Sequence, residues 1–336
     1  MHKSHDCPKG RIVQHSLDSK AVANNMLGDP TQRRVDVYIP AGHDGAGLPL
    51  LVDVVGFTGG GPHHTNWKNF GENVPERVDR LIAEGKMAPC VIAFPDCFTR
   101  LGGNQYINSI AMGNWDDFLT TELLDSVEGH YKCGGTGKRG IFGKSSGGYG
   151  AMMHALMHPD IWSAAACHAG DMGFELMFAS DFALALRRIA KHGGTIESFI
   201  AALEANPKPA GEDIHTLMTL AMSASYDPDP EAFLGINLPV TMDTCEMDKT
   251  AWARWMKWDP LTLVETHGEG LKQLKALYID CGDIDQYNLV YGARRMTKRL
   301  TELGVPHIYE EFPDDHSSVD YRMDVSLPIL ANALAD

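Results

Sequence analysis

The chain has 336 residues, 44% of them hydrophobic and 22% charged, a balance that excludes disorder, collagen and coiled coil and fits one large α/β domain or two ordinary ones. Its 29 Lys and Arg against 44 Asp and Glu leave a formal net charge of −15, which repels phosphate backbones and anionic lipid, so neither nucleic acid nor a membrane is an expected partner. The opening residues carry no apolar run of signal-peptide length, and the seven cysteines are scattered without a C-x-x-C pair, so the expectation is a soluble, cytoplasmic chain with reduced thiols.

In chain order, runs rich in Val, Ile, Leu, Ala and aromatics, bounded by Gly or Pro, predict strands at 34–39, 49–55, 90–94, 139–142, 163–167, 274–279 and 307–312. Several are apolar at every position, which suits a mostly parallel sheet covered on both faces. Between them, Phe118, Leu119, Leu123, Leu124 and Val127 share one helical face while Glu122, Asp125 and Glu128 face away. A second amphipathic helix spans 288–303, with Leu289, Ala293, Met296, Leu300 and Leu303 opposite Arg294, Arg295, Lys298 and Arg299, and Gly304 and Pro306 as its stop. Strands alternating with helices predict a doubly wound α/β fold.

The stretch 171–264 breaks that rhythm. It reads as helix after helix with no convincing strand, hence as a helical cap inserted between core segments 1–170 and 265–336. Its many Met and aromatic residues are either the core of the insert or an apolar wall over a ligand. Trp252, Trp255 and Trp258 recur at three-residue spacing, so they share a helical face, and Trp252 and Trp255 are the candidate wall of a substrate pocket.

Residues 139–159 run from a short apolar strand through a Gly-rich turn into a helix ended by Pro159. Gly143-Lys144-Ser145 imitates the end of a phosphate-binding P-loop, but that loop needs a glycine where this chain has Lys138, and Gly137 misses by one residue. The same turn reads as G-x-S-x-G, Gly143 to Gly147, a nucleophile elbow that lifts Ser145 above the sheet. A serine hydroxyl is a weak nucleophile at neutral pH and requires a base, itself oriented by an acid, in the chain order Ser, acid, His. After the elbow, His316 lies in the loop that follows the 307–312 strand, whereas His307 starts that strand at the opposite edge of the sheet. Asp280, Asp283 and Asp285 crowd the end of the 274–279 strand, and spacing leaves the choice between Asp283 and Asp285 open.

These residues resemble the putative-esterase branch of the α/β-hydrolases, with esterase D (S-formylglutathione hydrolase), enterochelin esterases and mycolyltransferases as relatives. The carriers are Gly143–Ala151, Asn108-Ser109 through Leu119, Gly282–Asp285 and Phe312–His316. The resemblance implies an α/β-hydrolase fold and an acid three residues after Gly282, which is Asp285. It also implies oxyanion donors: the amide of Ser146 after the nucleophile, and the amide of Phe57 in the Gly-rich segment 54–61, where Val55 stands in place of the family's usual histidine.

The expected function is therefore a serine carboxylesterase with catalytic Ser145, Asp285 and His316, acting on a small-molecule ester. Thioester hydrolysis and acyl transfer on the same triad are the alternatives, and an inactive hydrolase-fold receptor and a P-loop-like nucleotide binder are remote ones. No cofactor and no metal are expected: His63-His64 and the pair His154 and His158 lack a carboxylate or thiolate at a recognisable spacing. A homo-oligomer stays open.

Overall fold

The computed structural model describes His2 and residues 4–335. Eight strands form one sheet: β1 (Arg11–Asp18), β2 (Gln32–Ile39), β3 (Leu50–Val54), β4 (Val91–Pro95), β5 (Arg139–Lys144), β6 (Ala164–His168), β7 (Ala276–Gly282) and β8 (Ile308–Phe312). Their order is β1-β2-β4-β3-β5-β6-β7-β8. β2 pairs antiparallel with both β1 and β4, and every other pairing is parallel. The seven predicted strands are all present, with ends shifted by at most three residues. The eighth, β1, escapes sequence reading because Arg11-Ile-Val-Gln-His-Ser-Leu-Asp18 is an edge strand with few apolar residues, and none of its side chains is fully buried.

Alternation along the central strands sends side chains to two cores. Leu50, Val52 and Val54 of β3 face one, and Leu51 the other; Val91 and Ala93 of β4 oppose Ile92 and Phe94 in the same way. Both faces being covered is why these strands read as unbroken apolar runs. The smaller core lies under α1 (Val74–Ala83) and the C-terminal helix Met323–Ala335. Asn73 fixes the start of α1 through a capping box, its side chain accepting from the Glu76 amide at 2.8 Å while Glu76 accepts from its backbone at 3.0 Å.

The larger core lies under α2 (115–131, with a π-helical turn at Phe118–Leu123) and α3 (Ser146–Met157). Between β6 and β7, the longer helices are α4 (Ala179–Lys191), α5 (Ile196–Ala205), α6 (Gly211–Tyr226), α7 (Lys249–Met256) and α8 (Pro260–His267). Their side chains do not form a separate core. Phe174, Phe178, Phe182, Tyr226 and Trp255 belong to the same buried cluster as Tyr149 of α3. α9 (Leu289–Leu303) follows β7 and ends at Gly304, whose left-handed φ of 68° closes the helix. α10 is the C-terminal helix Met323–Ala335. No described helix is long and apolar enough to cross a membrane.

Candidate active site

β5 and β3 run side by side in parallel, with Val54 opposite Gly143. Ser145 follows β5 directly, and α3 starts at Ser146. So abrupt a strand-to-helix turn forces Ser145 to φ 59° and ψ −126°, a region that costs a non-glycine residue about 1–3 kcal/mol. The flanking glycines have a steric reason. A Cβ on Gly143 would stand 2.1 Å from the Val54 carbonyl oxygen, and one on Gly147 1.8 Å from the same atom. Since β5 occupies Arg139–Lys144, Gly137 and Lys144 sit at opposite ends of a strand. The segment therefore cannot curl into a phosphate loop.

His316 lies beyond β8, its amide donating to Gln286 Oε1 at 3.0 Å. Its Nδ1 is 2.7 Å from Asp285 Oδ2, and Asp285 Oδ1 accepts from the Tyr287 amide at 2.9 Å. Asp283 is exposed, and no side-chain hydrogen bond joins it to any described residue. Asp280 points elsewhere, to His168 at 2.7 Å and Arg322 at 2.9 Å. The Tyr287 ring stands edge-on to His316 at 4.9 Å. Ser145 and His316 both line one cavity of about 270 Å³. Among the described residues they make no hydrogen bond to each other, as is common before a substrate tightens such a pair.

Phe57 and Ser146 flank the serine, and neither amide has a hydrogen-bond partner among the described residues. The loop after β3 that carries Val55 has a clear brace. The Tyr106 hydroxyl donates to the Val55 carbonyl at 2.5 Å, and a Cβ on Gly103 would stand 2.3 Å from the Phe57 carbonyl oxygen. The Ser146 hydroxyl is also held: it accepts from Gln105 Nε2 at 2.8 Å and faces Asp171 Oδ2 at 3.4 Å, while Gln105 Oε1 accepts from Tyr226 at 3.1 Å. Burial raises Asp171 to about 7, against the pull of Ser146 and with the push of Asp285. Gln105, Tyr106 and Asp171 carry no motif in the sequence. Only tertiary packing brings them here.

The cavity wall corrects one expectation. Trp252 and Trp255 do not line it; Met177, Ile214 and Met218 from the 171–264 segment do, together with Tyr287. The three-residue spacing does put Trp252 and Trp255 side by side, their rings 5.9 Å apart. Their face, however, turns inward, with Trp255 fully buried against Phe178, Phe182 and Tyr226.

Other parts of the cavity lining are polar. His64 Nδ1 is 2.5 Å from Asp53 Oδ2; burial opposes its charge, but Asp53 outweighs this and raises His64. His154 and His158 are engaged by the Tyr106 carbonyl at 2.9 Å and Asp116 at 2.9 Å. Among the described residues no three His, Cys, Asp or Glu side chains gather as a metal site. Beneath the sheet a second Ser-His-Asp set exists: His168 bridges Asp280 at 2.7 Å and Ser326 at 2.8 Å. All three are buried and line none of the principal cavities.

Residues 30–327 match the family described as Putative esterase. None of the curated proteins matches the chain. Among solved structures, a ferulic acid esterase superposes with a TM-score of 0.62 at 18% identity, covering 97% of this chain and 99% of that one. FphF, a fluorophosphonate-binding serine hydrolase of Staphylococcus aureus, gives 0.58 at 15% identity over 98% and 99%. An S-formylglutathione hydrolase from Agrobacterium tumefaciens gives 0.58 at 16% over 99% and 98%. With a family match across most of its length and an eight-stranded sheet in this order, the chain belongs to the putative esterase family and has the α/β-hydrolase fold.

Proposed function

We infer that the protein is a carboxylesterase for small to medium esters, with Ser145 as nucleophile, His316 as base and Asp285 as its orienting acid. The observation that carries this reading is the 2.7 Å pair of Asp285 and His316, whose imidazole opens with Ser145 onto one cavity. Asp285 holds Nδ1–H, leaving Nε2 to accept a proton. Ser145 Oγ adds to the ester carbonyl as its proton passes to His316, and the Phe57 and Ser146 amides hold the oxyanion. Collapse breaks the acyl–oxygen bond, and His316 returns the proton to the departing alcohol. Water then repeats the sequence on the acyl-enzyme, releasing the acid and restoring Ser145. No cofactor enters any step.

A cavity of about 270 Å³ lies at the small end of ligand sites, which favours compact substrates. A thioester would follow the same steps, and an alcohol in place of water would make the reaction an acyl transfer. In this reading the segment 171–264 acts as a cap, contributing Met177, Ile214 and Met218 to the apolar wall. The seven cysteines are all free and five are buried, which suits work in a reducing cytoplasm.

The test is labelling with a fluorophosphonate together with ester hydrolysis. Ser145→Ala should lose labelling and lower kcat by several orders of magnitude, on the order of 10⁶ for a comparable triad. A dead Ser146→Ala beside an active Ser145→Ala would overturn the assignment.

A further inference from the structure

Lys144, the residue immediately before Ser145, lines the catalytic cavity and also a second, polar cavity of about 570 Å³. His63 and Asp320 line both as well, so the two spaces meet beside the nucleophile. In the second cavity the acids are already matched. Arg80 grips Glu72 through two hydrogen bonds at 2.7 and 2.8 Å and reaches Asp324 at 2.7 Å. Arg77 also bonds Asp324, and Lys68 bonds Asp320. Lys144 alone among the four Lys and Arg lining it makes no ion pair and no side-chain hydrogen bond with any described residue. With histidines neutral, four cations against three carboxylates leave this pocket net positive, in a chain whose net charge is −15.

A half-buried ammonium without a partner is costly. Burial pulls Lys144 down from its ordinary value, and the fields of Asp320 and Asp285 only partly oppose this. Lys144, Asp320 and His316 line the same catalytic cavity, and in the reading above His316 is the group that hands a proton to the departing group. The apolar lining of Met177, Ile214 and Met218 is left to the acyl group.

Resting on the esterase reading above, we propose that Lys144 and the second cavity form a subsite for a carboxylate on the leaving-group side of the substrate. The ester's alcohol, or a thioester's thiol, carries a negative charge that pairs with the free ammonium. A charge-assisted hydrogen bond of this kind is worth about a tenfold preference.

The experiment compares kcat/KM for 4-acetoxybenzoate and its uncharged isostere 4-acetoxybenzamide. The expected result is that the wild type favours the carboxylate about tenfold and that concentrated NaCl reduces the preference. Lys144→Met and Lys144→Gln should bring the ratio down to about one or below while still hydrolysing the amide, and Lys144→Arg should keep much of it. A wild type without preference overturns the proposal. So does a ratio that is the same in the wild type and the neutral variants, including the case in which those variants lose both esters equally. Should the variants fail to fold, a wild-type preference that salt leaves unchanged overturns it. If neither ester turns over and Ser145 takes no fluorophosphonate, the esterase reading falls first; turnover of the amide without charge preference removes this subsite alone.

Discussion

Asp171 is fully buried, with one oxygen 3.4 Å from the Ser146 hydroxyl and the other without a hydrogen-bond partner among the described residues. Its carboxyl is raised from 3.8 to about 7, first by burial. Between those values the folded chain holds a proton that the unfolded chain has released, so stability falls as pH rises from about 4 to about 7, and the deficit persists above that. At about 1.4 kcal/mol per pKa unit, a rise from 3.8 to about 7 makes the ionised group cost on the order of 4 kcal/mol. Asp171→Asn should therefore gain stability relative to the wild type between pH 4 and pH 8, measured by urea unfolding. Parallel stability curves would show that Asp171 does not titrate in this window. A second residue-scale prediction separates the neighbouring acids. Asp285→Asn should lower kcat by about 10³–10⁴, because the imidazole loses its tautomer, whereas Asp283→Asn should stay within a few-fold; comparable losses would sink the assignment. Ser145 and His316 were legible as candidates because a local motif and a chain order point to them. Asp285 was not separable from Asp283 by spacing, and needed the family resemblance. What distinguishes the two in the structure is a turn that sends one carboxylate inward to His316 and leaves the other in solvent.

Among the elements, α7 has the sharpest consequence. Its periodicity gave the right face for Trp252 and Trp255 but could not say what that face meets, since an apolar stripe looks the same against a core as against a ligand. Trp255 packs edge-to-face on Phe178 and Phe182, so Trp255→Ala should cost about 3–5 kcal/mol of stability without reordering acyl preference. Met218→Ala, by contrast, should reorder that preference. It lines the cavity from α6, and a pocket wall discriminates by about 1–3 kcal/mol per methylene, so longer acyl chains should gain relative to acetyl. A chain-length panel and thermal melts on both variants decide this, and a ranking that changes only in Trp255→Ala would reverse the roles. The buried strands were legible because unbroken apolar runs between Gly and Pro have few other uses. β1 was not, since an edge strand needs only one half-covered face and its pattern is correspondingly weak.

For the whole molecule, the packing argues against a cap that folds by itself. The aromatic cluster joins Phe174, Phe178 and Tyr226 to Tyr149 on the elbow helix, so the helices between β6 and β7 and the sheet share one interior. Hydrogen exchange should accordingly give the amides of α6 and of β5 the same opening free energy, within experimental error; a markedly lower value for α6 would mean the segment opens on its own. The second Ser-His-Asp set has a different kind of consequence. Ser326, His168 and Asp280 reproduce the hydrogen-bonding pattern of a catalytic trio between α10 and the sheet, but inside the smaller core, with no twisted backbone at the serine and no space in front of it. The molecule is thereby its own control on chemoselectivity. A search by hydrogen-bond distance finds the buried trio complete, whereas an electrophilic phosphonate, which needs room for a trigonal bipyramid to form at phosphorus, can choose only the serine whose surroundings let the geometry change.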